Sequence, residues 1–230
     1  MDVFKQFIDH YRVLKFSKGE IILFEGEVPS CAYVIKKGVV KTYNLTSDGQ
    51  EKPISFDVEL ETFPVGWVFG KQRSTQYFYE AFTDCSVYCI PRDELMHFVK
   101  NNPKLLFSYF DYFVGRYLNY QMRINALEQS KAADKVLHTL YFLALRFGQE
   151  IRPNLVKIIL PLTQQDLANF MGLTRETTGI ELKRLEKSGV ITYNRQNYVV
   201  RTNKLNELLD EEYDSMRLIG TTTPSLENIA

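Results

Sequence analysis

Arg175 and Glu176 stand side by side at the start of TRETTGIELKRLEKSG, a segment with helical spacing. Thr178, Leu182 and Leu185 recur on one face of that helix, which turns Arg175, Glu176, Gly179, Ile180 and Lys183 outward. A guanidinium offers a planar fork of donors and a carboxylate offers acceptors. Together on a rigid helix they can read hydrogen-bonding edges on a partner; the plainer alternative is a surface ion pair.

The other reactive residue types are sparse. Cys85 and Cys89 lie in one strand-like stretch, TDCSVYCIP, and four residues of strand span roughly 13 Å, too far for a mutual disulfide or shared metal ligation. Cys31 can approach either one through folding, and the bland reading of all three is small buried hydrophobes. His10, His97 and His138 show no metal spacing, so no metal site or cofactor is expected. No His falls within residues 11–96, which argues against a cupin oxygenase. A nucleophile elbow, a phosphate loop and an HExxH motif are also lacking, so the chain is not read as an enzyme.

Charge narrows the partner. The 28 basic and 28 acidic residues cancel, yet residues 131–204 carry 12 Lys+Arg against 6 Asp+Glu, and residues 205–230 carry 1 against 6. A +6 segment inside a neutral chain suits a polyanion bound by that segment alone, where the competing reading is a solvated surface. No apolar run reaches the roughly 18 residues of a membrane span, and a cytoplasmic chain with no membrane partner is expected.

The elements that must position Arg175 and Glu176 follow from pattern. Thr163-Gln164-Gln165-Asp166 is a capping signal that opens a short helix. Gly172 permits a tight turn, and Thr174 caps the longer helix. After Gly189, Val190–Tyr193 and Tyr198–Arg201 form a hairpin around Asn194-Arg195-Gln196-Asn197. Helix, turn, helix and β wing make a winged helix-turn-helix, whose second helix enters the major groove of double-stranded DNA.

Upstream, residues 16–90 alternate and turn as β structure, with Asp48-Gly49 as a hairpin turn. Pro91 opens a short helix and Pro103 a second one. There Leu106, Phe110, Phe113, Tyr117, Tyr120, Ile124 and Leu127 are spaced 4, 3, 4, 3, 4, 3, an a/d seam over three heptads. A stripe that narrow favours a homodimer interface over packing on the chain's own β domain. A further helix runs to about Phe147 with Gly148 as its C-cap, and Leu155–Leu160 reads as a linker-strand segment between Pro153 and Pro161. The stretch after Tyr213 has a disorder-like composition.

Over residues 15–205 the order of these modules resembles the Crp/Fnr family of bacterial transcription regulators. Its signatures are Thr174–Gly179, Leu185–Ile191, Gly26-Glu27 and Tyr33–Lys41. The resemblance implies an α+β fold: a β-roll (jelly-roll-like) sensor domain over 1–102, a dimerisation helix over 103–130, a winged helix-turn-helix over 131–205 and an acidic tail over 206–230. It also implies that Arg175 and Glu176 touch base edges, with Arg on guanine O6/N7 and Glu on cytosine N4. Thr163, Thr174 and Lys183 would hold phosphates. Where relatives often carry a second groove arginine, one turn after Glu176, this chain has Ile180, which suits a thymine methyl and an A·T-richer site. RNA polymerase is a further implied partner. A module whose winged helix binds protein instead is disfavoured by the +6 segment and Arg175.

In cAMP-binding relatives a Gly-Glu pair takes the ribose and an Arg-Ser pair the phosphate. Here those positions read Gly66-Trp67 and Thr75-Gln76, without carboxylate or cation, and the purine-contacting positions become Tyr120 and Gln121. Arg73-Ser74 lies two residues upstream and restores the phosphate site only through a gap in register. With Trp67, Tyr77 and neighbouring aromatics, the region reads as a filled pocket, while Gly66, Trp67, Arg73, Ser74, Gln76, Tyr77, Tyr120 and Gln121 remain the candidates for any small effector. The family's other sensors fit no better: an iron–sulfur type needs four cysteines, most near the N-terminus, where this chain has three placed elsewhere, and a haem type needs an axial His within the sensor, where His10 and His97 only flank the β-roll. An effector would act at the hinge near Gln129–Ala133, shifting dimers between DNA-competent and incompetent states.

Overall fold

The computed structural model describes residues 3–209; the acidic tail and the stretch after Tyr213 lie wholly or mostly outside them. The chain divides into two compact units, with the division between Phe110 and Asp111.

The first unit opens with α1 (Val3–Ile8) and continues through β1 (Arg12–Phe16), β2 (Ile21–Leu23), β3 (Ala32–Lys37), β4 (Val40–Leu45), β5 (Glu51–Asp57) and β6 (Thr62–Phe63). A single helical turn, α2 (Val65–Val68), leads to β7 (Phe78–Ala81), β8 (Cys85–Ile90) and α3 (Arg92–Asn101). The strands form two antiparallel sheets, ordered β1-β8-β3-β6 and β2-β7-β4-β5. Apolar side chains of both sheets, among them Leu23, Ile35, Val40, Phe63 and Val87, are buried in a shared core. The β4–β5 hairpin turns close to the predicted place: the Gly49 N–H donates to the Thr46 carbonyl at 2.9 Å, so Ser47-Asp48 are central and Gly49 follows in the left-handed conformation (φ 78°), with Leu45 paired to Glu51.

One cysteine expectation is corrected. Cys31 and Cys89 form a disulfide, with Cα atoms 5.4 Å apart. Antiparallel pairing of β3 with β8 sets Tyr33 opposite Cys89, which brings Cys31 alongside; linear spacing within β8 could not reveal this. Cys85 is the free thiol, buried and donating to the Val39 and Thr83 carbonyls at 3.1 Å.

Helix α4 (Pro103–Glu128) crosses the division between the units. One face buries Leu105, Tyr109, Tyr112, Met122 and Ala126. In the first unit Tyr109 meets Thr62 Oγ1 at 3.1 Å and the rings of Phe4 and Phe69 at about 6 Å.

The second unit continues with α5 (Ala132–Phe147), β9 (Gly148–Arg152), β10 (Leu155–Ile158), α6 (Gln164–Met171), α7 (Arg175–Lys187), β11 (Ile191–Asn194), β12 (Asn197–Arg201) and α8 (Thr202–Leu208). Gly148 is the C-cap of α5, as its sequence predicts; it is extended (φ −90°, ψ 138°) and begins a strand. Glycine is required there by space: a Cβ would lie 2.0 Å from the Ala144 carbonyl oxygen. The strand in the Leu155–Leu160 segment is present as β10, and it serves as an inner strand of a sheet ordered β11-β12-β10-β9 instead of as part of a linker. That sheet ties the wing hairpin to the end of α5.

Candidate nucleic-acid interface

Local chemistry sets the two helices of the reading head. The Thr163 hydroxyl accepts from the Asp166 N–H at 3.1 Å, while the Asp166 carboxylate accepts from the Thr163 N–H at 2.8 Å, a complete capping box. Gly172 ends α6 in the left-handed conformation (φ 67°), which L side chains disfavour, and so permits the turn. Thr174 Oγ1 then accepts from the Thr177 N–H at 3.1 Å and starts α7.

Helix α7 buries Thr178, Leu182 and Leu185 against the unit. Arg175, Glu176, Ile180 and Lys183 are exposed, and Gly179 is half-buried. Arg175, Glu176 and Lys183 make no ion pair among the described residues, so the surface-pair alternative for Arg175 and Glu176 is not what the fold builds. The exposed side chain of Ile180 is two-thirds open to solvent, an apolar group on a polar face. Gly179 leaves room for Gln164, whose Oε1 would lie 3.4 Å from a Cβ at that position. The Thr163 hydroxyl also donates to the Asp166 carboxylate, at 2.6 Å, so both its hydrogen-bonding directions serve the cap. The donors left for a phosphate at this end of α6 are the first-turn backbone N–H groups.

The wing packs beside this head. Tyr193 and Tyr198 face each other across the hairpin with stacked rings 5.7 Å apart. Asn194 pairs with Asn197, so the turn is two residues, Arg195 and Gln196, with Arg195 at φ 54°. A cleft of about 610 Å³ separates wing from helices. Thr163, Gln164, Gln165 and Arg175 line one part of it; Arg195, Gln196 and Asn197 line the other. Sequence reasoning missed the cleft, although the Asn-Arg-Gln-Asn turn was visible.

In the first unit, the effector candidates Gly66, Trp67 and Tyr77 are half-buried. The Gln72 side chain lies on Gly66, its Oε1 2.2 Å from where a Cβ would stand. Trp67 stacks with the Arg92 guanidinium at 5.3 Å, and Arg92 Nε donates to the Val68 carbonyl. Thr75 is buried, its hydroxyl donating to the Phe24 carbonyl at 2.5 Å. Tyr33, Phe63 and Tyr79 stack successively at 5.3 Å, with Tyr77 packed against the same core. Arg73 and Gln76 are exposed and Ser74 half-buried, and Arg73 has no ion pair among the described residues. Tyr120 and Gln121 belong to the second unit and bond along α4, to Arg116 at 2.6 Å and Tyr117 at 3.0 Å.

The predicted seam is the face of α4 next to the buried one. Leu106, Phe110, Tyr117, Tyr120 and Ile124 are exposed, with Phe113 and Leu127 half-buried. Exposed Phe107 and Val114 widen the stripe.

A double-sheet roll, a long helix with an open apolar stripe and a winged helix-turn-helix define a two-unit DNA-binding regulator. Comparison with known proteins bears this out. The "Cyclic nucleotide-binding domain" family matches residues 13–102, and the "Crp-like helix-turn-helix domain" family matches residues 134–209. The chain is 27% identical over 189 residues to the HTH-type transcriptional regulator ArcR of Staphylococcus haemolyticus, covering 82% of each chain. It is 27% identical over 177 residues to the nitrogen fixation regulation protein FixK of Azorhizobium caulinodans, covering 77% of this chain and 70% of that one. Among solved structures, FixK2 of Bradyrhizobium japonicum matches with a TM-score of 0.71 at 22% identity, over 86% of this chain and 96% of that one. The protein belongs to the Crp/Fnr family of DNA-binding transcription regulators.

Proposed function

We propose that the protein binds a near-palindromic DNA site as a homodimer, without needing a cyclic nucleotide. The observation that carries this reading is the unpaired Arg175 and Glu176 on the exposed first turn of α7, held by a buried opposite face. Arg175 is assigned to guanine and Glu176 to cytosine. Ile180 meets a thymine methyl, Gly179 allows close approach, and Lys183 contacts a phosphate. Thr163 and Thr174 act through the helix N-termini they cap.

The homodimer is supported by the stripe from Leu106 to Ile124, whose burial against a second copy would remove contiguous apolar surface from water. Two recognition helices then enter successive major grooves about 34 Å apart. Independence from cyclic nucleotides is supported by Gln72 over Gly66 and by the Tyr33–Phe63–Tyr79 stack. The free Arg73 guanidinium favours a second reading, in which a small anionic effector engages Arg73 and Ser74. A cytoplasmic protein that acts with RNA polymerase and catalyses no reaction follows from the regulator class.

Selection of purified protein on random duplex DNA, with and without cAMP, tests this. A two-fold-symmetric site enriched equally in both is the expected result. A site enriched only with cAMP assigns the phosphate to Arg73-Ser74 and overturns the nucleotide-independent reading.

A further inference from the structure

We propose that the wing tip reads the minor groove adjacent to the major groove entered by α7, with Arg195 as the residue that sets a preference for A·T pairs there. The proposal rests on the DNA-binding reading of α7 and extends it to base pairs that helix does not touch.

Arg195 of the wing and Arg175 of α7 both line the cleft of about 610 Å³. Both are exposed and neither has a carboxylate partner among the described residues. Thr163, Gln164 and Gln165 also line the cleft, and no acidic residue does. Major and minor grooves are separated by one sugar–phosphate strand. A protein that enters both must present two projections with an uncharged or cationic trough between them to seat that strand. Helix α7 and the wing are such projections, and the cleft is such a trough.

The chemistry of the tip points to groove edges as well as to backbone. Asn194, Arg195, Gln196 and Asn197 supply one guanidinium and three carboxamides, with no carboxylate. Arg, Asn and Gln are the side chains that read the minor groove, where A·T pairs show only acceptors and narrow tracts concentrate negative potential. The tip is also short. Its turn is two residues long, and the Tyr193–Tyr198 stack braces it from below.

The test is selection from a random duplex library with the full-length protein and with Arg195→Gly. Glycine favours the left-handed backbone that Arg195 adopts, so the turn is kept while the side chain is lost. The wild type is expected to enrich a core with A·T-rich pairs beside it. Arg195→Gly is expected to keep the core, lose the flanking bias, and bind an A·T-flanked duplex about tenfold more weakly, with little change on a G·C-flanked one. Equal losses on both duplexes would mean a backbone phosphate contact and would overturn the proposal, as would a flanking bias that survives the substitution. If the wild type enriches no core, the DNA-reading role of α7 falls first and this proposal with it.

Discussion

The Arg123 guanidinium lies 4.0 Å from the centroid of the Phe170 ring, and its Nη2 donates to the Phe170 carbonyl at 3.4 Å. Arg123 belongs to α4 and Phe170 to α6, so this stack fastens the helix that carries the apolar stripe to the first helix of the reading head. Burial pulls the Arg123 pKa down, to about 10, which leaves it charged at neutral pH.

Arg123→Leu keeps much of the packing volume and removes the cation. A desolvated cation–π contact is worth about 2 kcal/mol. Urea denaturation is expected to show a loss of that order for the second unit, and an unchanged midpoint would mean that the stack carries no stability.

Lys183→Ala removes one exposed charge from α7. Binding to all duplexes is expected to weaken alike, with the slope of log K against log salt falling by about 1. A change confined to one base position would instead make Lys183 a base reader.

The stripe on α4 makes its own demand. Tyr117→Glu places a carboxylate in the middle of it, and light scattering is expected to change from dimer to monomer. DNA affinity should drop with it, because each recognition helix is then left with a single half-site. A variant that remains dimeric places the interface elsewhere.

The Cys31–Cys89 bridge closes a loop of 58 residues. Loop-closure entropy puts its contribution at about 4 kcal/mol. Cys31→Ser is therefore expected to lower the unfolding free energy of the β-roll by that order, and an equal denaturation midpoint in oxidised wild type and variant would contradict it. Cys85 should resist alkylation in the folded protein, because burial pushes its thiol pKa up.

Burial lowers the His138 pKa below its ordinary 6.5, with Asp134 partly opposing. The folded state therefore binds this proton less readily than the unfolded chain. His138 then lends stability above the unfolded value, and that stability falls away as pH drops below about 6.5. Melting temperatures from pH 7.5 to 5 should fall less steeply in His138→Gln than in the wild type.

Much of this was legible in the residues, and for physical reasons. Capping signals such as Thr163–Asp166, the left-handed Gly172, the turn near Asp48-Gly49 and the seven-residue repeat of α4 are local, so the sequence predicts them. The exposure of the α4 stripe follows from the same repeat. What escaped depends on partners distant in the chain. The Cys31–Cys89 bridge needs the pairing of β3 with β8, and β10 becomes an inner strand only when β12 returns beside it. The cleft needs both the wing and the N-terminus of α6, about 30 residues apart. Nothing in the sequence around Arg123 announces Phe170, its partner 47 residues on.

Hydroxyl-radical footprinting of the wild type and Arg175→Ala on a selected duplex tests the central claim most directly. Wild type is expected to protect two symmetric patches about 10 base pairs apart. Arg175→Ala is expected to lose them while retaining salt-sensitive, sequence-independent binding. One protected patch would contradict the dimer, and a specific footprint that persists in Arg175→Ala would contradict the assignment of Arg175 as a base reader.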